Sequence, residues 1–166
     1  LSRHPEGKRS LPGVKLHQWD GLTAAGWGDL VEGIDVIYNL AGENLSAGRW
    51  SAARKRAIID SRVNAGKAVV DAISKAVNKP RVLIQISGVG AYGVNNPEVC
   101  SEDAPYGSDF LAEVTRAWET STEPVDALGV RRVIARTAAV FDLNSGALPK
   151  LLLPFRLFAG GRLGNG

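Results

Sequence analysis

IDVIYNLAG, residues 34–42, runs apolar through Ile34, Val36, Ile37 and Tyr38, then breaks off into Asn39, Leu40, Ala41 and Gly42. A short apolar run that ends so abruptly reads as a strand of a parallel sheet, covered on both faces by crossover helices. In open sheets of that kind ligands collect beyond the carboxyl ends of the strands, and small residues such as Ala41 and Gly42 let a ligand come close to the backbone. Residues 39–42 are therefore either the edge of a binding site or a tight strand exit that binds nothing.

Working outward, the period changes from that of a strand to that of a helix over residues 51–76. Ile58, Ala65, Val69, Ala72, Ile73 and Ala76 line one side, which leaves Arg54, Lys55, Arg62, Lys67 and Lys75 for solvent. Asn78, Lys79 and Pro80 stop the helix, residues 81–86 return to a strand pattern, and SGVGAYG, residues 87–93, follows at its end. A second helix is expected over residues 109–128, capped by Ser108 or Asp109, with Phe110, Val114, Ala117, Trp118 and Ser121 on its inner face and Glu113, Arg116 and Glu119 outside. A further strand falls within residues 130–137. Upstream, residues 14–19 alternate weakly as a strand and residues 22–32 suit a short helix; downstream, residues 148–158 are rich in leucine and phenylalanine around Pro149 and Pro154, as in a short buried segment. Strands joined by long helical crossovers specify an α/β protein with a parallel sheet.

Composition narrows the function. The chain has 166 residues, room for one core, and no stretch approaches the roughly 18 apolar residues of a membrane span. Its net charge is +3, and the basic cluster between Arg49 and Arg56 is interrupted by Trp50, Ser51, Ala52 and Ala53, which suits a solvated helix face better than a nucleic-acid surface. One cysteine, Cys100, forbids an intrachain disulfide, and two histidines without paired spacing carry no transition-metal signature. The expectation is a protein of a soluble compartment, cytoplasmic or organellar, that binds neither nucleic acid nor membrane. The chain starts at Leu1 without methionine and ends on GGRLGNG, residues 160–166, as a piece of a longer protein would.

The residues with chemistry to offer are Ser87, just beyond a strand, and Tyr92, five positions later. A serine hydroxyl beside a tyrosine can polarise a carbonyl or alcohol. The same pair also serves as a loop cap and a ring packed over the sheet, so both readings stay open. Tyr38 is placed inside a buried strand and Tyr106 in the loop before the second helix, which leaves Tyr92 as the tyrosine nearest a strand end.

Taken in order, LSRHP, NLAGENL, RW, the SR of DSR, SGVGAYG, DFLAEVTRAWE, RTAAVF and GALPKLLLPFRLFAGGRLGNG resemble the epimerase-like branch of the extended short-chain dehydrogenase/reductase superfamily. The nearest resemblance is to a subfamily of NAD-dependent epimerase/dehydratase-like proteins of bacteria, chloroplasts and animals, some named nucleoside-diphosphate-sugar epimerases. It implies an incomplete Rossmann-type parallel sheet with flanking helices. Residues 1–147 would be a partial NAD(P)-binding domain whose first strand and glycine-rich phosphate loop precede Leu1, and residues 148–166 the start of a substrate domain. A sheet so cut would leave room for self-association along its open edge.

The resemblance also implies site residues. Ser2 and Arg3 match the end of the second strand, where the adenosine ribose lies, and an arginine there matches NADP preference, with NAD as the alternative. Asn39, Leu40, Ala41 and Gly42 match the loop beside adenine and ribose, Arg62 belongs to the matching DSR motif, and Ser87 matches the serine region facing the nicotinamide. The departure lies in the second long helix. Where the superfamily carries a tyrosine and, four residues on, a lysine, Phe110 and Val114 stand here, and neither can titrate. No lysine accompanies Tyr92 at a matching spacing. The expectation is an NADP-dependent oxidoreductase or epimerase-like protein acting on an unidentified small molecule such as a nucleotide sugar, with Ser87 and Tyr92 at the reacting atoms; the alternative is a catalytically inactive cofactor-binding or structural protein of the same fold.

Overall fold

The computed structural model describes residues 1–94 and 99–162. Three strands, β1 (Val36–Asn39), β2 (Val82–Gly88) and β3 (Arg131–Thr137), form one parallel sheet in the order β1-β2-β3. β1 and β2 run in register from Val36 beside Val82 to Asn39 beside Gln85. Between them passes α1 (Ala52–Lys75), and α2 (Phe110–Thr120) precedes β3. The incomplete Rossmann-type sheet expected from the sequence is the observed architecture.

Both long helices begin where a side chain can satisfy their free amides. Ser51 Oγ accepts from the Arg54 amide at 3.2 Å, and Asp109 Oδ1 accepts from Leu111 and Ala112 at 2.8 and 3.0 Å. The apolar stripe of α1 is buried as its period required, Ile58, Ala65 and Ile73 completely. It packs with Ala24, Trp27 and Val31 from the preceding segment, Leu83 of β2, Val125 and Val130. α2 stops at Thr120, and residues 123–128 continue as a 3-10 helix instead of the expected α-helix. Pro124 has no amide to donate, and the Thr122 amide already turns back to the Glu119 carbonyl at 3.3 Å.

Other expectations need correcting. Residues 14–19 do not form a strand: Ser2 and Gln18 make one isolated parallel bridge, because Ser2 alone offers a pairing partner to this segment. Residues 22–32 shorten to a 3-10 turn, Gly28–Val31. β1 is covered on one face only. Ile37 and Asn39 turn toward the helices, whereas Val36 and Tyr38 are exposed, Tyr38 to 64%, because the crossover helices pack on the Leu83 face of the sheet.

By compactness the chain divides into residues 1–136 and 137–166. The second unit contains α3 (Leu148–Arg156), none of whose residues is buried, and Phe155, Leu157 and Phe158 are largely exposed. It is thus an exposed helix and not the expected buried segment. The terminal stretch 160–166 lies partly outside the described residues. No helix among those described is long and apolar enough to cross a membrane.

Candidate functional site

Two clusters gather near the carboxyl ends of the strands. The first is a cavity of about 500 Å³ whose lining includes Ser2, Arg3, Lys8, Asp20, Ala41 and Gly42, together with Ser61 and Asn64 of α1. Residues 2–3 and 41–42 thus meet across nearly forty positions of chain. The Arg3 stem lies over Gly21, which has φ +83°, so that a Cβ there would stand 3.4 Å from Arg3 Cδ. Arg3's guanidinium makes no hydrogen bond or ion pair among the described residues. Two carboxylates of the lining are engaged: Asp20 accepts from the Leu22 and Thr23 amides and the Thr23 hydroxyl, which hold it below the usual carboxylate range, and Glu43 pairs with Arg54 at 2.9 Å.

Asn39, Leu40 and Arg62 do not line this cavity. Asn39 is buried, its amide donating to Gln85 Oε1 at 2.7 Å and its oxygen accepting from Ala41 N–H at 3.3 Å, which fixes the strand exit. Leu40 is exposed. Arg62, assigned to solvent by its charge, is 8% exposed. It stands four residues after Ile58 and three before Ala65, on the buried stripe, with its guanidinium 4.8 Å from the Trp118 ring and donating to the Glu43 and Ile58 carbonyls. Burial pushes its pKa down. A Cβ on Gly42 would lie 2.9 Å from Arg62 Cζ, so a residue without one is needed to let this arginine pass beneath the loop.

The second cluster joins Ser87 to Tyr92 through two residues the sequence did not nominate. Ser87 Oγ donates to Glu119 Oε1 at 2.5 Å, and Tyr106 Oη donates to Glu119 Oε2. Arg136 holds the same carboxylate through Nε and Nη2 at 3.0 and 2.9 Å and donates from Nη1 to Tyr92 Oη at 3.1 Å. The guanidinium lies about 5.1 Å from both the Tyr92 and Tyr106 rings. Glu119, expected on the outer face of α2, is buried because α2 turns this face to the end of β2. Burial opposes its ionisation, but donation from Arg136, Ser87 and Tyr106 outweighs it and holds the carboxyl below the usual glutamate range. Tyr106 is pushed up by burial and by its bond to that carboxylate, and Arg136 is raised by the same pair. The cation that no lysine spacing supplied to Tyr92 therefore comes from β3. The charged partner 17 positions away explains why a burial this deep is tolerated, and no spacing in the sequence marks the two as a pair.

Phe110 and Val114 stand apart from this network. Phe110 meets Trp50 edge to face at 5.2 Å and carries Lys55 Nζ 4.8 Å from its ring, while Val114 is buried.

Known proteins agree with this architecture. The profile of the NAD dependent epimerase/dehydratase family matches residues 2–116. The chain belongs to this family. Among its relatives, epimerase family protein YfhF of Bacillus subtilis is 40% identical over 134 residues, covering 80% of this chain and 44% of YfhF. The chloroplastic SDR39U1 homolog of Arabidopsis thaliana is 39% identical over 160 residues, 95% of this chain and 44% of the relative. The chain thus spans about half the length of these relatives. Among solved structures, human epimerase family protein SDR39U1 (isoform 2), crystallised with NADPH, superposes with TM-score 0.71 at 32% identity, covering 80% of this chain and 45% of the human one. The nucleoside-diphosphate sugar epimerase of Corynebacterium glutamicum gives TM-score 0.72 at 34% identity, covering 95% of this chain and 32% of its own.

Proposed function

We propose that the protein is an NADP-dependent oxidoreductase or epimerase-like enzyme acting on a small molecule, of which a nucleotide sugar is the leading class. One observation carries the reading: Ser2, Arg3, Ala41 and Gly42, far apart in sequence, line one cavity of about 500 Å³ in which the Arg3 guanidinium makes no hydrogen bond or ion pair among the described residues. A cavity of this size, lined by small and apolar residues on one hand and by polar and charged side chains on the other, suits part of a dinucleotide. The human relative crystallised with NADPH and the C. glutamicum neighbour's name point to the same cofactor and substrate class.

Bound there, NADP would supply a hydride acceptor. The chain's own residues bind and orient: Arg3 pairs with the 2′-phosphate, and Ala41 and Gly42 admit adenosine against the backbone. Asn39 and Arg62 hold that loop from behind through the bonds described above. Ser87 and Tyr92 sit at the reacting end. Tyr92 gives or takes the proton of a substrate oxygen, and Arg136 donates to the phenol oxygen on which charge builds when that proton leaves. Glu119 fixes Arg136 and Ser87 in place. Residues 148–166 are assigned to a substrate domain, separate from the cofactor-binding residues 1–147.

A second reading, cofactor binding without turnover, is favoured by Phe110 and Val114, which cannot titrate, and by the engagement of the Ser87 proton with Glu119. Calorimetric titration tests the cofactor assignment. Arg3→Ala should weaken NADP binding by about one to two orders of magnitude and NAD binding much less, as expected for a lost hydrogen bond to a charged group. Equal losses for both cofactors would refute it.

A further inference from the structure

We infer that Lys8 is a second determinant of NADP choice, acting with Arg3 on the 2′-phosphate; this rests on the cofactor reading above. Lys8 lines the same cavity as Ser2 and Arg3, and its Nζ donates to Ser2 Oγ at 2.7 Å. The Ser2 oxygen also accepts from the His4 amide at 3.2 Å. With both lone pairs so used, the Ser2 hydroxyl has only its proton left to offer a ligand. Lysine and arginine side chains are donors without acceptors. The wall built by Ser2, Arg3 and Lys8 therefore presents donors alone, and two of these carry positive charge.

A donor-only wall discriminates. A ribose 2′-hydroxyl gains most from an acceptor such as a carboxylate, whereas a phosphate dianion needs donors and cations. The carboxylates that border the cavity do not spoil this: Asp20 is turned to the Leu22 and Thr23 amides, Glu43 to Arg54, and Asp60 belongs to the α1 wall with Ala57 and Ser61. Tethering by Ser2 also matters. It holds a long side chain with many rotamers near the ligand's place, which lowers the ordering cost on binding.

The test is calorimetric titration of NADP and NAD against wild type, Lys8→Ala, Lys8→Arg and Arg3→Ala, in low and high salt. Lys8→Ala should weaken NADP binding about three- to tenfold, the range of an exposed charge pair strengthened by preorganisation, and leave NAD binding unchanged. Lys8→Arg should recover most of the loss, and high salt should shrink the difference between wild type and Lys8→Ala. If Arg3→Ala lowers NADP affinity selectively while Lys8→Ala changes neither cofactor, or both alike, the inference about Lys8 falls and the cofactor reading stands. If wild type shows no preference for NADP and Arg3→Ala creates no difference, the cofactor reading falls and takes this inference with it. Lys8 is exposed, so its variants should fold as wild type does, which circular dichroism checks.

Discussion

Glu119→Ala should be among the most destabilising single substitutions in the chain. It deletes the acceptor of four donated hydrogen bonds, from Ser87, Tyr106 and two nitrogens of Arg136, and strands a guanidinium whose side chain is only 18% exposed. Breaking a buried pair by removing one partner costs about 3–5 kcal/mol. Arg136 would keep the Tyr92 and Tyr106 oxygens, the Glu102 carbonyl and two aromatic rings, which argues for the lower end, about 3 kcal/mol. Against a typical total of about 5–15 kcal/mol that is a large share. Urea unfolding of wild type, Glu119→Ala and Glu119→Met/Arg136→Met would measure it, the double variant recovering most of the loss because no charge is left unpaired. A cost below about 1 kcal/mol, the usual value of an exposed pair, would refute the claim that this pair is a buried unit. Acidity offers an independent check. Glu119's carboxyl lies lower in the folded than in the unfolded chain, so its contribution is fully present above the ordinary value of about 4.3 and disappears as pH falls through the folded value. The gap between wild type and Glu119→Ala should narrow accordingly in acid.

Gly66→Ala should destabilise by about 1–3 kcal/mol despite alanine's better helix propensity, since a Cβ there would lie 1.9 Å from Ser121 Oγ and 2.8 Å from its Cβ. Chemical unfolding would show it, with partial recovery in Gly66→Ala/Ser121→Gly. Tyr92→Phe should lower kcat/KM by about 10²–10⁴ in any assay of proton or hydride transfer; an unchanged value would make Tyr92 a packing residue. The 166-residue chain by itself should associate through the exposed Val36 and Tyr38 face of β1, and light scattering that finds a cooperatively unfolding monomer would contradict this.

What the sequence made legible was whatever rests on local period. The α1 stripe from Ile58 to Ala76, the Asp109 cap and the parallel β1-β2 crossover all follow from spacing and capping chemistry. What it hid depends on the third dimension. An apolar run says that a strand is buried but not on how many faces, and Tyr38 falls on the face of β1 that stays open. Arg62 sat on the buried period and was assigned outward by its charge alone, though a carbonyl pair and the Trp118 ring await it inside. Glu119 and Arg136 are ordinary surface residue types until the fold brings α2 beside β3, and no one-dimensional pattern announces that pairing. Ser2 and Arg3 became candidates through the family resemblance, and Lys8 emerged only with the bond to Ser2.

A crystal structure of the full-length protein with NADP tests the cofactor assignment most directly. The 2′-phosphate should lie within hydrogen-bond distance of the Arg3 guanidinium and Lys8 Nζ, with adenosine against Ala41 and Gly42. A 2′-phosphate turned to solvent, or a nucleotide seated away from this cavity, would contradict it.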